Sequence, residues 1–262
     1  MTTKTEAVKN EGQTAEARHR AQDLRDKIAV VTGASSGIGR AIALSLAEEG
    51  TQLCLVGRRL DALENVCHLA RDRASAVHAF RADLTREEDI QALAAELSRS
   101  LGRVDILVHS AGEIRHAELS SAPVSDLDLQ YHSNVRGPYL LTQELLPLLR
   151  IGPGQIAFIN SSSGLRARAR TGQFAATQHA LKAIADSLRE EVNSDGIRVL
   201  CVFPGRTATP RTEILFHEER KAYLPDLLMQ PEDVAAMVLH SLKLPRTAEV
   251  TDINIRPLYK SY

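Results

Sequence analysis

Seven short runs rich in β-branched and aliphatic residues recur along this chain, and their recurrence limits its fold more than any other feature. They are KIAVVTG (27–33), QLCLVG (52–57), AVHAF (76–80), VDILVHS (104–110), QIAFINS (155–161), IRVLCVF (197–203) and DINIRP (252–257). Runs that are apolar almost throughout belong to strands buried on both faces, as in a parallel sheet. Between them lie GRAIALSLAEEG, EDIQALAAELSRSLG, NVRGPYLLTQELLPLLR and AATQHALKAIADSLREEV, whose apolar residues return every three or four positions, the period of an amphipathic helix. Strand and helix patterns in alternation predict repeated βαβ units. The expected fold class is therefore α/β, a single-domain seven-stranded parallel sheet with helices on both faces.

With 262 residues, 44% of them hydrophobic, the chain can bury one large core, and a single domain over 26–262 is expected. Residues 1–25 carry almost no large apolar side chains, so they cannot offset their ordering entropy and read as a flexible N-terminal arm. Thirty-two basic and 33 acidic residues leave a net charge of −1, which points away from nucleic acid and anionic membranes and toward a small-molecule substrate. Cys54, Cys67 and Cys201 are widely spaced with no CxxC pair, which argues against a disulfide framework and a zinc site. No metal is expected. The absence of a long apolar stretch or a secretory-type leader makes the cytoplasm the expected location, with no membrane partner.

The first strand runs into Gly33-Ala34-Ser35-Ser36-Gly37-Ile38-Gly39 and then into a helix. Gly33 permits a tight turn, Gly37 close approach of a pyrophosphate, and Gly39 packing of helix on strand, while free N–H groups at the helix start face the anion. The end of the second strand selects the dinucleotide. An acid there would hydrogen-bond the ribose 2′-hydroxyl of NAD; here the sequence reads Gly57-Arg58-Arg59. Arg58, with Arg59 as a second cation, suits a charge-assisted contact with the 2′-phosphate of NADP(H).

On these and further motifs, residues 26–262 resemble the single-domain branch of the short-chain dehydrogenase/reductase family. The family's TGxxxGIG turn stands as Thr32 to Gly39, and its adenine-contacting aspartate is matched by Asp83, followed by Leu84. Its NNAG segment appears as His109-Ser110-Ala111-Gly112, its helix asparagine as Asn134, and its PG motif as Pro204-Gly205 with Thr209 as the hydroxyl near the carboxamide. A PEDVA stretch (231–235) extends the match. The resemblance implies NADP(H) binding at these positions. It also implies self-association as a homodimer or homotetramer through the helices at 134–150 and 172–193, and a substrate-covering segment from Arg206 to about Pro225 containing Phe216 and Tyr223.

In that family a serine polarises the substrate carbonyl, a tyrosine donates the proton, and a lysine four residues later lowers the tyrosine pKa and holds the nicotinamide ribose. A phenol near pKa 10 needs such a cation to act at neutral pH. The serine is matched by Ser161. The next motif reads Phe174-Ala175-Ala176-Thr177-Gln178-His179-Ala180-Leu181-Lys182, placing Phe174 at the tyrosine position and Gln178 at the lysine position. Phe174 has no exchangeable proton, and Gln178 can reach a ribose hydroxyl but carries no charge. Lys182 lies one turn further on.

Two functions follow as expectations. One is an NADPH-dependent reductase with non-standard proton delivery, acting on an activated acceptor such as an imine, enone or quinone. The alternative is a catalytically inactive NADP-binding protein acting as sensor or partner. Candidate proton routes are Ser161, Ser163, Tyr139, His179 or a water on Asn134, although His179 points about 100° away from Gln178 around the helix. Arg166, Arg168 and Arg170 lie in the loop between Ser161 and Phe174, where they could attract an acidic substrate.

Overall fold

A computed structural model of the chain describes residues 21–259. The expected arm up to residue 20 lies outside the described residues. Gln22 already belongs to the folded body, its N–H donating to the Lys243 carbonyl at 2.7 Å, and Leu24 is buried.

All seven expected strands form: β1 (Ile28–Thr32), β2 (Gln52–Gly57), β3 (Ala76–Arg81), β4 (Ile106–His109), β5 (Gln155–Ile159), β6 (Arg198–Pro204) and β7 (Asp252–Ile255). They make one parallel sheet in the order β3-β2-β1-β4-β5-β6-β7. Between them run α1 (Gly37–Glu48), α2 (Leu60–Ala70), α3 (Glu87–Leu101), α4 (Val124–Tyr131), α5 (Gly137–Leu149), α6 (Gly172–Val192), α7 (Pro210–Glu218) and α8 (Pro231–Lys243).

Alternation along each strand divides the core. Val30 points with Leu107, Ile156 and Val199 toward α3, α5 and α6, and Ala29 and Val31 point with Leu53, Ile106 and Leu200 toward α1, α2 and α8. The four stretches with helical periodicity, now in α1, α3, α5 and α6, cover the sheet with their apolar faces. The start of α8 shows how locally these boundaries are set: Pro231 takes the first turn, while Gln230 and Asp233 bond reciprocally across it. Cys54 and Cys201 lie on β2 and β6 in the core, and burial drives both thiols up to about 12, so they act as small apolar side chains.

Chain order reverses between β1 and β4, and there the carboxyl ends of the strands open a crevice. Thr32 closes its floor: the buried hydroxyl donates to the Val108 carbonyl and accepts from the N–H groups of Ser110 and Ala111 at 3.0 and 3.1 Å. The segment leaving β4 thus lies directly on Gly33. A Cβ at Gly33 would fall 2.8 Å from both the Ala111 nitrogen and the Ser110 carbonyl oxygen, and its φ of 66° adds a second demand for glycine. Gly39 lets α1 pack against this same turn, because a Cβ there would meet the Gly33 carbonyl oxygen.

Gly33 and Gly102 share nearly the same φ, yet nothing lies within 4 Å of a Cβ added at Gly102. Gly102→Ala is expected to cost about 1 kcal/mol, the backbone penalty alone. Gly33→Ala is expected to cost at least about 3 kcal/mol, because backbone must also move. Thermal unfolding of the two variants checks this: equal losses would show that conformation, not the β4 contact, sets the requirement at Gly33.

Candidate active site

The turn from β1 into α1 presents an open helix N-terminus. Ser36 caps it in extended conformation without a side-chain cap bond, and the first turn of α1 carries no acid. Such an end attracts an anion through its N–H groups and dipole. Gly37, at φ 53°, faces Thr209, whose γ-methyl would lie 3.1 Å from an added Cβ. Thr209 itself caps α7 by accepting from the Thr212 N–H at 3.2 Å. Asp83 accepts from the N–H and hydroxyl of Thr85, ordering the turn after β3, and the Leu84 carbonyl packs where a Cβ at Gly137 would stand. Ser35, Ile38, Arg59, Ala111, Gly112, Pro204 and Gly205 lie at or just beyond the carboxyl ends of β1, β2, β4 and β6. This donor set, an acid-free helix start beside the cations of Arg58 and Arg59, fits a phosphorylated dinucleotide.

Beyond Gly112 the chain runs without strand partners and is held at alternate residues. The buried Asn134 side chain accepts from the Glu113 N–H at 2.7 Å and donates to the Glu113 carbonyl at 2.8 Å and to the Thr177 hydroxyl at 3.1 Å. Buried Gln130 accepts from the Arg115 N–H at 2.9 Å, and the Ala117 N–H donates to the Arg170 carbonyl at 2.9 Å. Asn134 reaches its partners from a widened turn, His132–Arg136, in which the Gly137 N–H returns to the His132 carbonyl five residues back. Widened turns of this kind concentrate at functional sites. Helical periodicity predicts an ordinary α-helix at 134 and misses the extra residue, because both conformations bury the same side chains.

Phe174 and Gln178, expected from the sequence at the tyrosine and lysine positions, are both buried on α6. The Gln178 amide contacts the Thr177 hydroxyl at 3.4 Å, and its backbone carbonyl accepts from Asn160 at 2.9 Å. Ser161 sits at the end of β5, its hydroxyl accepting from the Ser163 N–H at 3.1 Å. The other candidate proton donors stand elsewhere. His179 contacts the Ala175 carbonyl within its own helix, and Tyr139 is exposed on α5 rather than packed in the core. Lys182 pairs with Asp186 one turn further along. Arg166, Arg168 and Arg170 are exposed in the loop before α6. Phe216 packs the covering segment, edge to face with Tyr223 and beneath the Arg206 guanidinium.

Sequence reasoning missed two carboxylates that organise the mouth of the crevice. Glu113 has a side chain only 5% exposed and binds three arginines: Arg58 at 2.7 Å, Arg211 at 2.6 Å and Arg115 at 3.3 Å. Burial would raise its carboxyl, but Arg211 and Arg58 outweigh that and hold it below the ordinary carboxylate range. Arg58, the cation at the end of β2, thereby reaches across the crevice to the β4 segment. Glu219, just past α7, binds Arg206 at 2.7 Å and Lys221 at 3.0 Å, and these overcome burial to bring it down to about 2. Against Glu219 stands His116, its Nδ1 at 3.5 Å from Oε1 and its ring 6.1 Å from the Phe174 ring. Two residues separated by a hundred positions offer no local pattern.

His109, at the first asparagine of the NNAG pattern, is structural. It stacks on Phe158 and bonds the Thr142 hydroxyl at 2.9 Å, and burial pushes its pKa down to about 3.

The profile of the short chain dehydrogenase family matches residues 27–220. An uncharacterized oxidoreductase of Staphylococcus aureus strain MRSA252 is 33% identical over 237 residues, 90% of this chain and 99% of that protein. Among solved structures, an alcohol dehydrogenase from the archaeon Thermococcus sibiricus complexed with 5-hydroxy-NADP superposes with a TM-score of 0.81 at 26% identity, covering 90% of this chain and 98% of the other. L-Sorbose reductase from Gluconobacter frateurii, complexed with NADPH and L-sorbose, gives the same TM-score and identity over 89% and 97%.

The Asn134 clamp has a measurable cost of removal. Asn134→Ala strands the N–H and carbonyl of Glu113 in a buried setting and is expected to lower stability by about 2–4 kcal/mol. Urea unfolding reads this directly; a loss under about 1 kcal/mol would mean that water replaces the amide.

Proposed function

We propose, on the premise that this chain belongs to the short chain dehydrogenase family, that it is an NADPH-dependent reductase whose site works without the family's tyrosine and lysine. Its acceptor is a small molecule already activated toward hydride, such as an iminium ion, a conjugated enone or a quinone. One observation carries the reading: the helix start after β1 is open and free of acid, with Arg58 just past the end of neighbouring β2, while Phe174 and Gln178, at the sequence positions of the acid–base pair, are buried.

Gly33, Ser35, Ser36, Gly37, Ile38 and Gly39 would hold the pyrophosphate, Arg58 and Arg59 the 2′-phosphate, and Asp83 and Leu84 the adenine. Ala111, Gly112, Gln178, Pro204, Gly205 and Thr209 would hold the nicotinamide half. When bound, the reduced nicotinamide supplies a hydride. Ser161 would then orient the acceptor, Gln178 would offer the ribose a neutral hydrogen bond, and Phe174 fills the phenol's place without a proton to give. General acid–base catalysis contributes about 10²–10⁴-fold, so the family's tyrosine–lysine route to unactivated ketones is lost. The NADPH-bound sorbose reductase and the 5-hydroxy-NADP-bound alcohol dehydrogenase support the choice of cofactor.

We read 26–262 as the catalytic domain. Self-association pairs the segments 134–150 and 172–193. No helix among the described residues is long and apolar enough to cross a membrane. The burial of two groups that cannot transfer protons favours a second reading, a nucleotide-binding protein without turnover, and the same experiment separates the two.

NADPH fluorescence is expected to change on binding, and its oxidation to proceed with at least one of a panel of quinones, enones and cyclic imines. Binding without oxidation by any acceptor selects the second reading. Phe174→Tyr combined with Gln178→Lys is expected to raise simple-ketone reduction by about 10²-fold or more, the ordinary contribution of the missing acid; a folded, NADPH-binding but inert variant would show that the acceptor pocket has also changed. Because Arg58 is shared with Glu113, Glu113→Gln is expected to tighten NADPH several-fold relative to NADH. An unchanged ratio in titrations of both nucleotides would remove Arg58 from the 2′-phosphate.

A further inference from the structure

We infer that His116, oriented by Glu219, is the proton donor that replaces the missing phenol. The inference builds on the reductase reading above. His116 lies on the segment that leaves β4, between the anchored backbone N–H groups of Arg115 and Ala117, so its backbone is fixed on both sides. The Ala117 anchor is the Arg170 carbonyl, in the loop that leads into α6. The imidazole is thereby brought to 6.1 Å from the ring of Phe174, the residue at the tyrosine position. Its side chain is 16% exposed, enough to meet an acceptor and too little to be freely solvated.

Glu219 supplies the third element of an acid–base arrangement, a group that orients the donor. It faces Nδ1 at 3.5 Å, leaving Nε2 as the nitrogen free to give a proton. Arg206 and Lys221 fix Glu219 as a carboxylate. None of the five donors considered from the sequence combines a titratable proton with a place beside Phe174.

The step balances simply. As a carbonyl or conjugated-carbonyl acceptor takes up the hydride at carbon, its π-electron pair moves to oxygen. An O–H bond forms there while the N–H bond of the His116 imidazolium breaks, and the neutral imidazole left behind regains a proton from water.

The charged groups around His116 set its pH range. Burial lowers its pKa below the ordinary histidine value, Glu219 and Glu218 oppose that, and Arg206 adds to it. The proton-bearing form is therefore lost as pH rises through a value under 6.5, and reduction should accelerate toward acid on that limb.

The test is NADPH oxidation with a quinone and an enone as a function of pH, for wild type, His116→Gln and Glu219→Gln, with NADPH binding followed by fluorescence in parallel. His116→Gln is expected to lose about 10²-fold or more in kcat and the acid limb with it, while still binding NADPH. Glu219→Gln is expected to move the limb to lower pH. Independently of turnover, histidine NMR of the wild type should show one imidazole, absent in His116→Gln, that titrates below 6.5 and shifts down in Glu219→Gln. Full rate and an unaltered pH profile in His116→Gln, or a His116 titration indifferent to Glu219→Gln, overturn the assignment alone. Wild type that binds NADPH yet oxidises it with no acceptor overturns both the assignment and the reductase reading.

Discussion

The Asn134 side chain holds together everything that distinguishes this site. One amide grips both backbone groups of Glu113 and the hydroxyl of Thr177, joining the chain that leaves β4 to the helix that carries Phe174 and Gln178. Neither partner is tied to the other by sheet hydrogen bonds, so the geometry of the crevice mouth depends on this side chain together with the Gln130–Arg115 and Ala117–Arg170 bonds. Its burial makes the arrangement nearly all-or-none: a primary amide satisfies one donor and two acceptors there, and a residue of different hydrogen-bonding pattern leaves at least one of them without a partner. The widened turn at His132–Arg136 is the local distortion that aims it.

Electrostatics at the mouth obeys one rule applied twice. A carboxylate taken out of water must collect cations, and Glu113 and Glu219 each gather two or more. The two clusters differ in what they recruit. Glu113 draws Arg58 across from the β2 end and Arg211 from α7, and so links the nucleotide end of the crevice to the covering segment. Glu219 gathers Arg206, Lys221 and His116, and so fixes an ionisable ring beside a phenyl ring that has no proton of its own.

The sheet was legible because it is dictated by local chemistry. Strands buried on both faces must be continuously apolar, and all seven runs became strands with ends shifted by at most two residues. The glycine-rich turn was legible for the same reason, although Gly33 proved to serve the β4 segment as directly as any phosphate. Phe174 and Gln178 were found by register within a motif. What stayed hidden was long-range. The meeting of His116 with Glu219 and of Arg58 with Glu113 depends on how loops cross above the sheet, and nothing in the spacing of those residues records it. The displaced hydrogen-bond register around Asn134 was hidden for a different reason, since a single extra residue in a helix leaves the apolar pattern almost unchanged. Tyr139 faces solvent for a related reason: on α5 its position falls outside the stripe that covers the sheet.

The order β3-β2-β1-β4-β5-β6-β7 makes β1 and β4 a seam, crossed by three registered residue pairs, the Thr32 hydroxyl and the Asp105 carboxylate on the Ile28 N–H. The glycine turn and Arg58 lie on one bank, Ser161, Phe174 and Gln178 on the other. The banks are joined at the mouth by contacts running from Gln178 through Thr177, Asn134 and Glu113 to Arg58. A change among the reacting residues is therefore felt at the phosphate end, and chemistry and nucleotide preference in such a fold shift together rather than apart.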